Sequence, residues 1–290
     1  MSAAAADSIC SVGDALAAAC QRLSHDAVAA HEAELLLAHV LGKPRSFVRA
    51  HADAVLGSDQ RQTYARLIER RAQGEPVAYL IGCCGFWSFE LEVTPAVLIP
   101  RPETELLVEQ ALARIPEHAD WRIADLGTGS GAIALAIAHE RPCCRIIATD
   151  ISASALEVAR ANASRLNIHN VEFRLGDWCA PLQGECFNMI VSNPPYVQDG
   201  DPHLPALRFE PTLALTAGDD GLQSLRAIAS HAREYFIQSE GGWLLLEHGY
   251  DQAAALTQLL ADLGYVSVQD IADLAANPRL ALAHWVPPHE

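Results

Sequence analysis

From Trp121 onward, short apolar runs alternate with longer segments of helical period, and this alternation constrains the fold more than any other feature. A strand is predicted over residues 123–126, then a glycine-rich turn and a helix over 132–139. A second strand over 145–149 ends at Asp150 and leads into a helix over 154–167. Third and fourth strands are predicted over 171–174 and 187–192. A polar, proline-rich insertion spans roughly 197–220, ahead of a helix over 221–238. A fifth strand over 243–247, a helix over 251–263 and two pairing strands over 265–270 and 280–286 complete the chain. Apolar strands separated by helices imply an α/β fold whose mostly parallel sheet is covered on both faces. Such sheets take ligands beyond the carboxyl ends of their strands.

The first of those ends carries Asp125-Leu-Gly-Thr-Gly-Ser-Gly131. Gly127, Gly129 and Gly131 permit a sharp turn and a close ligand approach, with Thr128 and Ser130 between them. The spacing is G-x-G-x-G, not the longer dinucleotide fingerprint, and no lysine follows as in an ATP-binding loop. Asp150, at the end of the next strand, is placed to accept the ribose hydroxyls of an adenosine. Asp177 and Trp178 follow the third strand; Asp177 can accept from an adenine amino group and Trp178 can pack on its ring. Asp125 either offsets a positive ligand end or organises the loop around it.

The fourth strand runs into Asn193-Pro194-Pro195-Tyr196. Two prolines stiffen the turn and remove two N–H donors, so the segment offers mainly carbonyls. A planar NH₂ group is a poor nucleophile because its lone pair is delocalised. The Asn193 side-chain oxygen and the Pro194 carbonyl can hold its two hydrogens, aim the nitrogen at an electrophilic methyl and support the charge that develops. Tyr196 can cover the flat group. Next to an adenosine site, this turn points to methyl transfer onto a planar nitrogen.

Ahead of the sheet, residues 1–80 read as a helical bundle. One helix opens at Ser8-Ile9 and continues the stripe Val12, Leu16, Cys20 and Leu23. A second runs from Asp26, its cap or first-turn acid, to Leu41, and a third covers 58–73. Over 81–100 the period changes to two. Trp87, Phe89, Leu91 and Val93 share a face, and Thr94-Pro95 turns the chain into a return strand over 97–99. This predicts a β-hairpin linker before a domain over 101–290. Pro102, Glu103 and Glu105 suit the first turn of a helix carrying Leu106, Leu107, Ala111 and Leu112. Arg101 is a candidate for positioning backbone or substrate. Glu210-Pro211 either closes over the substrate or fixes the insertion, and stays outside the catalytic set.

With 20 Lys and Arg against 36 Asp and Glu, the formal charge is −16. That is poorly suited to gripping a phosphate backbone, so no direct nucleic-acid binding is expected. The first ten residues carry no basic segment or long apolar run, and no apolar stretch reaches membrane-spanning length. A cytoplasmic, non-membrane protein is the expectation. The 8 cysteines lack zinc-ligand spacing, so they are expected to be reduced and mostly buried, with no metal site.

The chain resembles the HemK/PrmC-type protein-(glutamine-N5) methyltransferases, which modify peptide chain release factors. The resemblance rests on Leu98-Ile-Pro-Arg-Pro-Glu-Thr-Glu105, Asp125–Gly131, Asp150, Asn193-Pro-Pro-Tyr196, Phe209-Glu-Pro211, Asp219-Asp-Gly221 and Asn277-Pro-Arg279, the last less typical of the group. It implies a class I S-adenosylmethionine-dependent methyltransferase fold, a seven-stranded mostly parallel sheet, preceded by a substrate-gripping helical bundle. It implies S-adenosyl-L-methionine as cofactor and S-adenosyl-L-homocysteine as product. Gly127–Gly131 would line the methionine part, Asp150 the ribose and Trp178 the adenine. Asn193 would touch cofactor and substrate, and Asn193–Tyr196 would hold the glutamine of the Gly-Gly-Gln loop of class 1 release factors. A monomer is expected.

Two neighbouring activities use the same turn. One is a glutamine methyltransferase acting on a ribosomal protein. The other is a DNA amino-methyltransferase working on a flipped base, which the acidic charge and the lack of a basic or aromatic tract oppose. A cofactor-free scaffold would bind no S-adenosyl-L-methionine, and a dehydrogenase would need the longer glycine spacing.

Overall fold

The structure, a computed structural model, describes residues 11–23 and 27–287. The chain divides into two units, Met1–Gly82 and Cys83–Glu290. The first is all helix: α1 (Val12–Leu23), α2 (Ala27–Leu41), α3 (Arg45–Ala50), α4 (Ser58–Ala72) and α5 (Val77–Ile81). Its core gathers Val12, Leu36, Leu37, Val48, Leu56, Tyr64, Leu67, Ile68 and Leu80. Ser8, Ile9 and Asp26, assigned above to helix starts, lie outside the described residues.

Two short helices, α3 and α5, go beyond the sequence expectation. Pro44 and Pro76, just beyond predicted helix ends, are stop signals in the sequence. Each also holds the extended conformation that opens the next helix, with φ −68° at Pro44 and −60° at Pro76. Gly57 starts α4, its N–H donating to Gln60 Oε1 at 3.0 Å. Glu32 and Glu34 tie the unit together through Arg71 and through Arg45 and Arg49.

The second unit opens with a hairpin, β1 (Cys83–Phe86) and β2 (Phe89–Glu92), in which Phe86 faces Phe89. This corrects the expected pairing. The turn falls at Trp87-Ser88, and residues 97–99 form no strand. Trp87 takes a left-handed φ of 56°, which an aromatic residue rarely adopts and no sequence rule assigns to it. Tertiary bonds hold it there: its backbone N–H donates to Glu105 Oε1 at 2.7 Å and its indole N–H to Glu140 Oε1 at 2.8 Å. The hairpin is part of this unit and not a free linker. Phe86 and Leu91 enter the core, and Asn162 bonds both main-chain groups of Glu92.

A helical turn over Pro102–Thr104 leads into α6 (Glu105–Leu112). Strand and helix then alternate through β3 (Arg122–Leu126), α7 (Ala132–Glu140), β4 (Arg145–Asp150), α8 (Ala153–Arg165), β5 (Val171–Leu175) and β6 (Met189–Ser192). After the irregular insertion come α9 (Gln223–Ala232), β7 (Gly242–Glu247), α10 (Ala253–Asp262), β8 (Val266–Ala272) and β9 (Pro278–Trp285). The seven-stranded sheet has the order β5-β4-β3-β6-β7-β9-β8. β5 to β7 are parallel, while β9 runs antiparallel between β7 and β8.

Side chains alternate across the strands into two cores. Ile123, Ile146, Met189, Val191 and Leu245 pack on one face with α6 and α7. Ala124, Leu126, Ile147, Ile190, Leu244 and Leu246 pack on the other with Leu225, Ile228, Leu256 and Leu260 of α9 and α10. Among the described residues, no helix is long and apolar enough to cross a membrane. The seven described cysteines are free. Only Cys144 and Cys179 are buried, and Cys143 and Cys186 are exposed, so burial as a general explanation of these residues is corrected.

Candidate active site

The strand order reverses between β3 and β6, and it is at these two carboxyl ends that the sequence motifs meet. Ser192 Oγ donates to Leu126 O at 2.7 Å, joining the ends directly. Beyond β3, Gly127, Gly129 and Gly131 all take left-handed φ, at 72°, 56° and 86°. Their reasons differ. A Cβ on Gly127 would lie 3.1 Å from the Trp178 ring, and one on Gly131 would lie 3.0 Å from Leu135. A Cβ on Gly129 would meet no atom within 4 Å, so this backbone lies open to a ligand. The N–H groups of Gly127 and Thr128 both donate to Thr149 O at 2.9 Å, folding the loop over β4.

Asp150 closes the cradle. Its Oδ2 accepts from Gly129 N at 2.9 Å and its Oδ1 from Ser152 N at 2.8 Å. Burial raises its carboxyl above the ordinary aspartate range, against the pull of those N–H groups. Asp125 is fully buried, and its Oδ2 accepts from Thr128 Oγ1 at 2.6 Å and Ala134 N at 3.2 Å. It therefore anchors the loop and the start of α7, the second of the two roles open to it. Desolvation pushes its carboxyl up to about 7, and its Oδ1 is buried without a hydrogen-bond partner among the described residues. Trp178, at φ 41°, is fixed by Thr149 Oγ1 donating to its carbonyl at 2.9 Å, while Asp177 is exposed at the edge.

These groups wall a cavity of about 700 Å³, in the range of small-molecule sites. Its lining includes Gly127, Thr128, Gly129, Ser130, Asp150, Asp177, Trp178, Asn193 and Pro195. Gly131, Pro194, Tyr196 and Arg101 are not on this wall. Gly131 supports from behind as the N-cap of α7, and Pro194 is buried.

The acceptor turn is held by partners that sequence reasoning did not find. Asn193 Nδ2 donates to Thr104 Oγ1 at 3.0 Å. Thr104 Oγ1 donates to Glu247 Oε2 at 2.7 Å, and the Tyr196 hydroxyl donates to Glu247 Oε1 at 3.2 Å. Glu247, the last residue of β7, is 2% exposed, and burial pushes its carboxyl up to about 7. Burial first, and then the Glu247 charge, drives the Tyr196 hydroxyl upward. No donor among the described residues bonds Asn193 Oδ1 or the Pro194 carbonyl, and of these two residues Asn193 lines the cavity. Gln252 Nε2 donates to Tyr196 O at 3.0 Å and to Gly221 O at 3.1 Å. A Cβ on Gly221 would lie 2.5 Å from Tyr196 O, which explains glycine in Asp219-Asp-Gly221.

Arg101 forms an ion pair of 2.5 Å with Glu210, which also accepts from Ile99 N at 3.2 Å. Glu210 thus fixes the insertion to the segment before α6, and Pro211 beside it lines the cavity. One local signal for Glu247 was available: it ends an apolar strand with a carboxylate, as Asp150 does. Thr104 stands in the Leu98–Glu105 run, where no local pattern shows its chemical role, and nothing local marks Gln252.

A family model described as "PrmC N-terminal domain" matches residues 14–82, and one described as "Methyltransferase small domain" matches residues 102–208. The chain is 50% identical over 253 residues to the release factor glutamine methyltransferase of Xylella fastidiosa (strain 9a5c), spanning 87% of this chain and 91% of that one. It is 47% identical over 256 residues to the release factor glutamine methyltransferase of Escherichia coli (strain K12), spanning 88% and 91%. Among solved structures, a methyltransferase from Pyrococcus furiosus superposes with a TM-score of 0.53 at 19% identity, over 77% of this chain and 100% of that one. That last likeness concerns the fold alone.

Proposed function

The chain belongs to the release factor glutamine methyltransferases, and on that premise we propose that it methylates the side-chain amide nitrogen (N5) of a glutamine in a peptide chain release factor. The target is the glutamine of the Gly-Gly-Gln loop of class 1 factors. The residues around the cavity fit S-adenosyl-L-methionine: open backbone at Gly129, a carboxylate at the end of β4 and an indole beside the glycine turn. When bound, this cofactor supplies an electrophilic methyl on a sulfonium sulfur and leaves as S-adenosyl-L-homocysteine.

The protein's part is to bind and orient. A carboxylate offers about four lone-pair sites. Asp150 accepts from the loop N–H groups of Gly129 and Ser152 and would turn its remaining lone pairs to the ribose hydroxyls. Asp177, on the cavity wall, would accept from the adenine amino group, and Trp178 would pack on its ring. Asn193 Oδ1 and the Pro194 carbonyl accept the two hydrogens of the glutamine amide. This directs the nitrogen toward the methyl and favours the positive charge that grows on it. The methylated nitrogen would give up its surplus proton to solvent, so no strong base is needed beside the turn. Tyr196, tied to Glu247, buttresses the turn from behind. One copy of the chain carries every residue named here, so the site needs no residue from a second copy.

The observation that carries this reading is the Asn193 amide, with its NH₂ bound to Thr104 and its oxygen left to accept. The test is intact-mass and tryptic-peptide analysis of a purified release factor after incubation with the enzyme and S-adenosyl-L-methionine, with duplex DNA and ribosomal protein in parallel. One added methyl on the loop glutamine is expected; methylation only of DNA or a ribosomal protein would overturn it. Asn193→Ala should lower turnover by about 10²–10³-fold with cofactor binding retained.

A further inference from the structure

We infer that Glu247 is a positioning residue for methyl transfer: acting through Thr104, it dictates which end of the Asn193 amide faces the substrate. The inference rests on the acceptor role proposed for Asn193. It follows from the direction of the hydrogen bonds. An ionised carboxylate only accepts. Thr104 and Tyr196 both bond Glu247, so both hydroxyls must donate to it. A hydroxyl has one hydrogen. With that hydrogen on Oε2, Thr104 has only lone pairs to offer Asn193. The NH₂ end of Asn193 satisfies them at 3.0 Å, and Oδ1 is turned the other way.

The ends of an asparagine amide have nearly the same shape, so shape alone does not select between them. A reversed Asn193 would set its own NH₂ against the NH₂ of the glutamine, donor against donor. Glu247 is not on the cavity wall and is 2% exposed, so its influence on the reaction passes through Thr104 and Tyr196. The chain links three segments distant in sequence: the end of β7, the turn before α6 and the end of β6.

The ordering depends on Glu247 being ionised. Once protonated, it can donate to Thr104 and release that hydroxyl to point at Asn193. Burial raises its carboxyl to about 7. The Thr104 and Tyr196 hydroxyls and Arg279 of β9 pull it down, while Glu103 pushes it up. His248, next in the chain, is bonded to Gly249 O and Asp270 and not to Glu247. Turnover therefore climbs as pH rises through about 7. Asp125, also near 7, sits in the glycine loop and needs separate control.

The experiment is steady-state methylation of a release factor across pH, with kcat and KM resolved, for Glu247→Gln, Thr104→Val, Thr104→Ser and Asp125→Asn. Glu247→Gln and Thr104→Val should each lower kcat by about 10- to 100-fold, the scale of outer partners that orient a reacting group. KM for S-adenosyl-L-methionine should move less than about threefold. Thr104→Ser restores the hydroxyl and should retain most of kcat. The double variant Glu247→Gln/Thr104→Val should be no worse than Glu247→Gln alone, because the Thr104 link is already cut there. The limb near pH 7 should vanish in Glu247→Gln and survive in Asp125→Asn. A kcat within twofold of the parent in Thr104→Val, losses that add, or a limb that persists without Glu247 would overturn the inference. If Glu247→Gln does not fold, the Thr104 pair decides. Full turnover in Asn193→Ala would instead show that the acceptor reading itself had failed.

Discussion

Replacing Asn162 by leucine removes four hydrogen bonds while keeping roughly the same volume. Asn162 lies on α8, is 0% exposed and joins three parts of the second unit. Its Oδ1 accepts from Glu92 N at 2.7 Å and Arg165 Nη2 at 3.2 Å, and its Nδ2 donates to Glu92 O and Ser130 O, each at 3.0 Å. Glu92 is exposed, so water can reach its freed groups, and losing those two bonds costs about 1 kcal/mol each. Ser130 is buried, and stranding its carbonyl costs about 2 kcal/mol. Burial of the leucine returns about 1–2 kcal/mol, leaving a net destabilisation of about 2–3 kcal/mol. All 5 tryptophans, Trp87, Trp121, Trp178, Trp243 and Trp285, lie in this unit, so their emission in urea follows its unfolding apart from the helical unit. A midpoint shift worth less than about 1 kcal/mol would refute the assignment of Asn162 as the tie between hairpin, helix and glycine loop.

Asp150→Ala should weaken S-adenosyl-L-methionine binding by about 10²-fold, since hydrogen bonds to a charged group contribute about 1.5–3 kcal/mol each. Calorimetry giving an unchanged dissociation constant would remove Asp150 from the ribose site. Asp125→Asn should change how stability responds to pH. The folded carboxyl sits at about 7, above the roughly 4 of an exposed aspartate, so between these values the folded chain holds a proton that the unfolded chain releases. This group's contribution is full below about pH 4 and is lost as pH rises to about 7. Asparagine keeps an oxygen for Thr128 and Ala134 and cannot ionise. The stability of the variant relative to the parent should therefore rise across that window and then level off. Urea midpoints that keep a constant offset from about pH 4 to 8 would contradict the burial argument.

Strand–helix alternation, the glycine turn and the carboxylates at strand ends were legible because each depends on neighbours a few residues away. Period, turn chemistry and chain direction alone put Asp150 and Asn193 at the carboxyl edge. The hairpin turn at Trp87-Ser88 was not legible, since an aromatic residue is held in left-handed backbone by Glu105 and Glu140 from other elements. Nor was the role of Pro44 and Pro76 in opening α3 and α5, because a proline that ends one helix looks the same in sequence as one that begins the next. The hydrogen-bond chain behind Asn193 is the clearest case. Thr104 and Glu247 are 143 residues apart, and only the sheet order brings β6 beside β7 so that one carboxylate can reach both Thr104 and Tyr196. Local sequence determines which groups stand at a strand's end. Which of them become partners, and which atom of an amide is left to accept, is decided by packing between strands and helices remote in the chain.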